Sequence, residues 1–540
     1  MDLMLRGDDF AQRMRSIFEG ELPSHPFDGR RYHRILIPGM TGGEHQWALI
    51  GVIGQAMRTR GAEVTALMCD ALLPACTLRK IDHHECACTR WCHRHSGLFA
   101  ESVGLPFRWY SQYVSKDRMM SIRNEVTTIS RKDLLRHAHQ GVELGELLER
   151  SLESYFKLGA LDLGDPDVEQ IARNFTAAAC ALVEIADRAM DELAIDKVLL
   201  DDGDKIDWGV FRAVARRKGI PVDVVGVGIR GTSIRFEVDC PTANTAIMEG
   251  WKTWKKEPLT AEQNQLLDSY LVRRECVPYE YRDRDWQATR TDAADLADIF
   301  GIRNRDPHSL VFAMYPNVGF DAGRTKGATA AFPTAKSWVQ ATVKAIARFP
   351  DHHLLIKQHP AEHHRVSRDS SLDGLDDLPP NIHVIPGGTE VTALAVARLS
   401  DIVLTYTSTV TAEAAALGLP VILAGGGWHS GRGIATEVET PEEYNQLIAR
   451  ICTSEFMPSV DRELARRYAW ALFFRNDIPV THLRRKDLNI TDICIESADD
   501  LAPGVHPSID VICRGVLCGE PFENPEVRGV AVAPSEMESA

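Results

Sequence analysis

The chain has 540 residues, of which 44% are hydrophobic and 25% charged, the proportions of a globular protein and not of a collagen-like, disordered or membrane-spanning one. A length of this order exceeds what one hydrophobic core organises, so two domains with accessory structure are expected. Lys and Arg number 61 against 76 Asp and Glu, and the resulting formal charge of −15 argues against a nucleic-acid partner. A local group of His, Lys and backbone N–H donors can still hold a phosphate inside such a chain.

The amino-terminal residues 1–18 mix acids and bases at helical spacing and lack the apolar run and small-residue cleavage site of a secretion signal. No stretch of about 18 apolar residues free of charge occurs, so no transmembrane helix is expected. Cytoplasmic location follows as the expectation, and peripheral association with a membrane surface is compatible with it.

The first strand is expected at Arg34 to Pro38, followed by the loop Gly39-Met40-Thr41-Gly42-Gly43 and a helix from Glu44 to Arg60. Gly61 stands where a helix C-terminal cap is common, and a second strand follows from Glu63 to Cys69. Ser115 to Leu193 has helical periodicity broken at Gly164-Asp165-Pro166, which predicts a helical insertion. The α/β rhythm resumes with a strand at Lys197 to Leu200, the turn Asp201-Asp202-Gly203-Asp204, a helix from Asp207 to Lys218 and a strand from Pro221 to Val227.

Trp251 to Asp306 reads as polar helical segments between domains. Beyond it, strands at Leu310 to Tyr315, His353 to Ile356, Ile382 to Ile385, Ile402 to Thr405 and Val421 to Leu423 alternate with helices, the pattern of a parallel sheet. A further helix is expected at Asp461 to Phe474, and then a tail rich in Pro, Gly and acids that loses periodicity. The boundaries expected are 1–250 for an N-terminal Rossmann-like domain, 251–306 for a helical linker, 307–475 for a C-terminal Rossmann-like domain and 476–540 for a partly disordered extension.

In open parallel sheets ligands bind beyond the carboxyl ends of the strands, so the polar residues there come first. Pro360 forces His359 out of the helical region, and the imidazole of Lys357-Gln358-His359-Pro360-Ala361-Glu362 can then meet a phosphate or a departing oxygen. The bland alternative is a surface His before a loop proline. Ser408 and Thr409 stand at a helix start, where hydroxyls cap free N–H groups and anions bind. Glu413, one turn inside, suits ribose hydroxyls or simply the helix dipole. Gly425-Gly426-Gly427-Trp428 lets backbone approach a ligand, or is a flexible loop; it fits neither the dinucleotide fingerprint nor a Walker loop.

Five of the twelve cysteines fall between Cys69 and Cys92. Cys69, Cys76, Cys86, Cys88 and Cys92, with His83, His84, His93 and His95, offer soft ligands for a structural Zn²⁺, with an iron–sulfur cluster or buried thiols as the alternatives.

The run Phe312-Ala313-Met314-Tyr315-Pro316-Asn317-Val318-Gly319-Phe320-Asp321, the segment Leu355 to Glu362, and Ser408-Thr409 to Glu413 with Gly418-Leu419-Pro420-Val421-Ile422 resemble the bacterial capsule polysaccharide biosynthesis proteins. These are glycosyltransferases of the GT-B type related in layout to Kdo transferases. The resemblance is specific over Leu310 to Tyr444, and Cys69-Asp70, Leu73-Pro74-Ala75-Cys76 and Cys86-x-Cys88 extend it. The chain departs from the pattern at Phe320, where Trp is more usual, and has Gln358 between Lys and His.

The resemblance implies an α/β fold of two Rossmann-like domains facing across a cleft, and transfer of a sugar from a nucleotide-sugar donor to a surface-polysaccharide or glycan acceptor. It implies donor-phosphate contacts for His359, Ser408 and Thr409 and a ribose contact for Glu413. Lys357, Asn317 and Gly426 complete the donor-site candidates. Catalysis is expected to need no metal, because no well-placed Asp-x-Asp pair demands Mg²⁺. An acceptor base is sought among Glu44, His45, Asp201, Asp202 and Asp204, with Glu44 and Asp202 foremost. The rival readings are a sugar-nucleotide epimerase, a polyol-phosphate transferase, and a non-catalytic scaffold of a polysaccharide assembly complex.

Overall fold

The computed structural model describes residues 11–40, 47–77, 92, 96–230, 233–240, 248–276, 293–321, 330–363, 368–389, 391–486 and 489–527. The chain forms two compact units, one of residues 1–155, 161–242 and 475–540 and the other of residues 156–160 and 243–474. Both are α/β. Among the described residues, no helix is long and apolar enough to cross a membrane.

The first unit is built on a seven-stranded sheet. Arg34–Met40 lies between Glu63–Met68 and Lys197–Asp201, all parallel. Phe107–Trp109 extends one side, and Val222–Val227 extends the other. The order thus reverses between the first and fourth parallel strands, as in a Rossmann sheet. Ser233–Val238 then turns back antiparallel on Val222–Val227, and Ile478–Pro479 pairs on its far edge. The expected helical insertion is present as Lys116–Thr127, Gly145–Phe156 and Pro166–Glu192, the last capped by Asp165 with Pro166 at its first position.

The tail expected as an extension belongs to this unit. Pro507–Cys518 is a helix that buries Ile509, Ile512, Val516 and Leu517 in the same core as Ile53 and Met57. Proline there marks a helix start and not a loop, since its missing N–H is one the first turn leaves unbonded anyway. Fully buried Arg60 fastens it by an ion pair with Asp510 at 2.5 Å. Residues 528–540, the end of the extension expected to be partly disordered, lie outside the described residues.

The second unit carries a six-stranded sheet, parallel throughout, in the order Ile382–Ile385, His353–Lys357, Val311–Tyr315, Ile402–Thr405, Val421–Leu423, Thr436–Glu437. Numbered by sequence, the order is 3-2-1-4-5-6, so its direction of growth reverses between Val311–Tyr315 and Ile402–Thr405. The strands are near-continuously apolar and buried, and helices Ala335–Ile346 and Pro441–Cys452 cover one face, where Trp338, Val339, Tyr444 and Ile448 join one core with Phe312, Met314, Leu354 and Leu404. Thr334 and Thr440 cap those helices, accepting from Ser337 N and Glu443 N.

The stretch expected as a linker is part of this unit. Its helix Ala261–Cys276 buries Leu267 and Leu271, and Arg466 donates to Asn264 Oδ1 at 2.8 Å and pairs with Asp268 at 2.7 Å. Its polar composition hid two leucines four residues apart, which are enough for one buried seam.

Candidate functional site

The loops that leave Val311–Tyr315 and Ile402–Thr405 flank the reversal point of the second sheet, where open α/β sheets bind ligands. Asn317 Oδ1 accepts the Thr407 N–H at 3.0 Å, so the side chain of one loop fixes the backbone of the other. Trp428 Nε1 donates to the Thr407 carbonyl at 3.1 Å, which brings in the glycine loop after the neighbouring strand. Asn317, Thr407 to Thr409 and the segment containing Gly426 are therefore assembled at one sheet edge.

Ser408 and Thr409 open the eight-residue helix Val410–Leu417. Ser408 Oγ accepts the Val410 N–H at 3.3 Å, while the Thr409 side chain makes no capping bond. Thr405 and Thr411 hydroxyls meet at 2.8 Å beneath them. Glu413 is completely buried, and Arg274 Nε donates to its Oε1 at 2.9 Å. Its other oxygen, equally buried, has no hydrogen-bond partner among the described residues. The carboxylate is thus held by an ion pair, which the helix-dipole reading of the sequence did not foresee.

The glycine run is ordered. A Cβ on Gly425 would stand 2.4 Å from the Tyr406 carbonyl, so glycine is needed for the close approach of two loops. Immediately after it, His429 is buried, stacks on Trp428 with ring centroids 4.8 Å apart, and lies 3.1 Å from the Tyr468 hydroxyl. Burial, reinforced by the charge of Arg432, pushes the imidazole down to about 3, so it is neutral. Sequence reading passed over His429 and Arg274. The first is adjacent to a glycine run already singled out; the second is 139 residues from Glu413, with no local signal.

One strand further out, Lys357 ends the strand His353–Lys357 and donates to the Pro386 carbonyl at 3.0 Å. Burial lowers its ammonium to about 8, within the range where it exchanges charge near neutrality. Gln358 bridges two elements, its amide N–H donating to Glu362 Oε2 at 3.1 Å and its Oε1 accepting from Gly387 N at 3.1 Å. Glu362 also accepts from Ser370 Oγ at 2.6 Å and Ser371 N at 3.1 Å. Gln358 and Glu362 thus brace the segment, and His359 between them is partly exposed. Gly387 packs on this bend: a Cβ there would lie 2.6 Å from the His359 carbonyl.

In the first unit, Asp202 follows Lys197–Asp201 at that sheet's own reversal point, in a left-handed conformation with φ 59°. It pairs with Lys205, which also reaches Asp204 at 2.9 Å. Burial and the charge of Asp204 push Asp202 above the usual carboxylate range in spite of Lys205. Burial opposes ionisation of Asp204 as well, but there Lys205 prevails and holds it below the usual carboxylate range. Glu44 and His45 lie outside the described residues.

Cys69 and Cys76 follow the strand Glu63–Met68 and Cys92 is buried, whereas Cys86 and Cys88, with His83, His84, His93 and His95, lie outside the described residues. Among the described residues, three metal-type ligand atoms come within 4.8 Å of one another at a different place, His137, His139 and Cys180.

No family model and no curated protein matches the chain. Among solved structures it is similar to a Thermosulfurimonas dismutans KpsC β-Kdo 2,4 transferase, at 13% identity, covering 57% of this chain and 87% of that one, with a TM-score of 0.34. It is also similar to the glycosyltransferase of kitacinnamycin, at 14% identity, 82% and 95% coverage and a TM-score of 0.25. A third is a Neisseria meningitidis UDP-GlcNAc 2-epimerase bound to UDP-GlcNAc, at 10% identity, 82% and 96% coverage and a TM-score of 0.23. The α/β character of both units rests on their own sheets.

Proposed function

We propose that this chain is a glycosyltransferase that moves a sugar from a nucleotide-sugar donor to a surface-polysaccharide or other glycan acceptor, with the nucleotide seated at the strand ends of the second unit. The observation that carries this reading is the Asn317 to Thr407 bond across the reversal point, which sets Ser408, Thr409 and a helix N-terminus where phosphates bind in such sheets. His359 and Lys357 supply further donors for the leaving phosphate, so the charge can be met without a metal. The Glu413 oxygen that has no hydrogen-bond partner among the described residues suits a ribose hydroxyl.

In an inverting transfer the acceptor hydroxyl gives its proton to a carboxylate, its oxygen attacks the anomeric carbon, and the bond from that carbon to the phosphate oxygen breaks with its electron pair leaving on the nucleotide. Asp202 is the proposed base, since it follows a strand at the reversal point of its own sheet and is raised above the usual carboxylate range by burial and by Asp204.

Calorimetry with CMP-, UDP-, GDP- and TDP-sugars, followed by turnover with and without glycan acceptor, tests the reading. Acceptor-dependent loss of one donor is expected. Equal turnover without acceptor would assign an epimerase instead, and binding of none of the four would assign a scaffold.

A further inference from the structure

His137 and His139 are two residues apart in extended chain, which places both side chains on one face. Gln140 and Gly141, with φ of 47° and 78°, then turn the chain back into the hairpin Ala138–His139 with Val142–Glu143, closed by the Leu144 N–H on the His137 carbonyl at 3.0 Å. Opposite runs the helix Pro166–Glu192, where Cys180 and Glu184, four residues apart, share a face. Two unrelated periodicities thus bring two imidazoles and a thiol together, every ligand atom within 4.8 Å of the other two.

Zinc bound at about 2.0–2.1 Å from nitrogen and about 2.3 Å from sulfur sets tetrahedral ligands about 3.5 Å apart, so closure by about an ångström completes the arrangement. The ring of His139 is already held: its Nε2 lies 3.2 Å from Glu184 Oε1, the imidazole–carboxylate pairing that orients histidine ligands. Arg118 in turn holds Glu184, donating from its terminal nitrogen at 2.6 Å. Cys180 is 2% exposed, and burial pushes its thiol up to about 12, so a cation must displace that proton.

We propose that His137, His139 and Cys180 bind one divalent transition-metal ion of the zinc class, with solvent as fourth ligand, pinning the hairpin to the long helix. Imidazole with thiolate selects zinc-class ions over Mg²⁺ or Ca²⁺.

The test is titration of the chelator-treated full chain with Co²⁺, read by the thiolate-to-cobalt charge-transfer band. Cys180→Ser and His137→Gln are each expected to lose one cobalt equivalent and the corresponding absorbance, with the loss persisting in a Cys86→Ser/Cys88→Ser background. Identical stoichiometry and spectra in the wild type and in a folded Cys180→Ser or His137→Gln variant would overturn the proposal. His137 is half-exposed, so its variant keeps the test decisive should the buried cysteine variant fail to fold.

Discussion

Arg274 Nε donates to Glu413 Oε1 at 2.9 Å, joining two charges of which neither is more than 9% exposed. An ion pair this deep is expensive to halve, because the survivor is left charged and dry.

Glu413→Ala is therefore expected to destabilise by about 3–5 kcal/mol, and Glu413→Gln by less because it keeps an acceptor for Arg274. Urea unfolding of the two variants checks this. Equal and near-zero losses would mean that the pair is solvated in solution.

His359→Ala is expected to lower turnover by about 10²-fold while the thermal midpoint stays near wild type, because the side chain is partly exposed. Gly387→Ala keeps the histidine but drives a methyl to 2.6 Å from its carbonyl. Donor affinity should then fall with the imidazole intact, at a stability cost of about 1–3 kcal/mol. Calorimetry and melting curves on both variants separate position from chemistry.

Lys357 gives a pH signature. Its folded value of about 8 lies below the ordinary one of about 10.4, so its contribution to stability is fully present above about pH 10.4 and is lost as pH falls through about 8. Its charge follows the opposite course, and donor affinity is expected to decline as pH rises from 7 to 9. Lys357→Met should weaken binding about tenfold at pH 7 and remove that decline.

His429 works at the acid end. It is held neutral with a value of about 3, far below the ordinary value of about 6.5, so its contribution is present above about pH 6.5 and lost as pH falls towards 3. His429→Gln should flatten that part of the stability curve. Denaturant midpoints at a series of pH values between 7 and 4 provide the check.

The local pattern of the chain by itself determined its apolar strands and capped helices. The strands Val311–Tyr315 and Ile402–Thr405 were legible because sheets buried on both faces need continuous apolar runs, and His359 and Ser408 stood out as candidates because they closely follow such strands. What local pattern could not contain is pairing between distant residues. Only the tertiary structure placed Arg274 on Glu413, Arg60 on Asp510, and two histidines of a hairpin beside Cys180, because burial of charge and convergence of ligands depend on which surfaces meet. The helix Pro507–Cys518 was hidden for the same reason: its apolar stripe gains meaning only against the core that it covers.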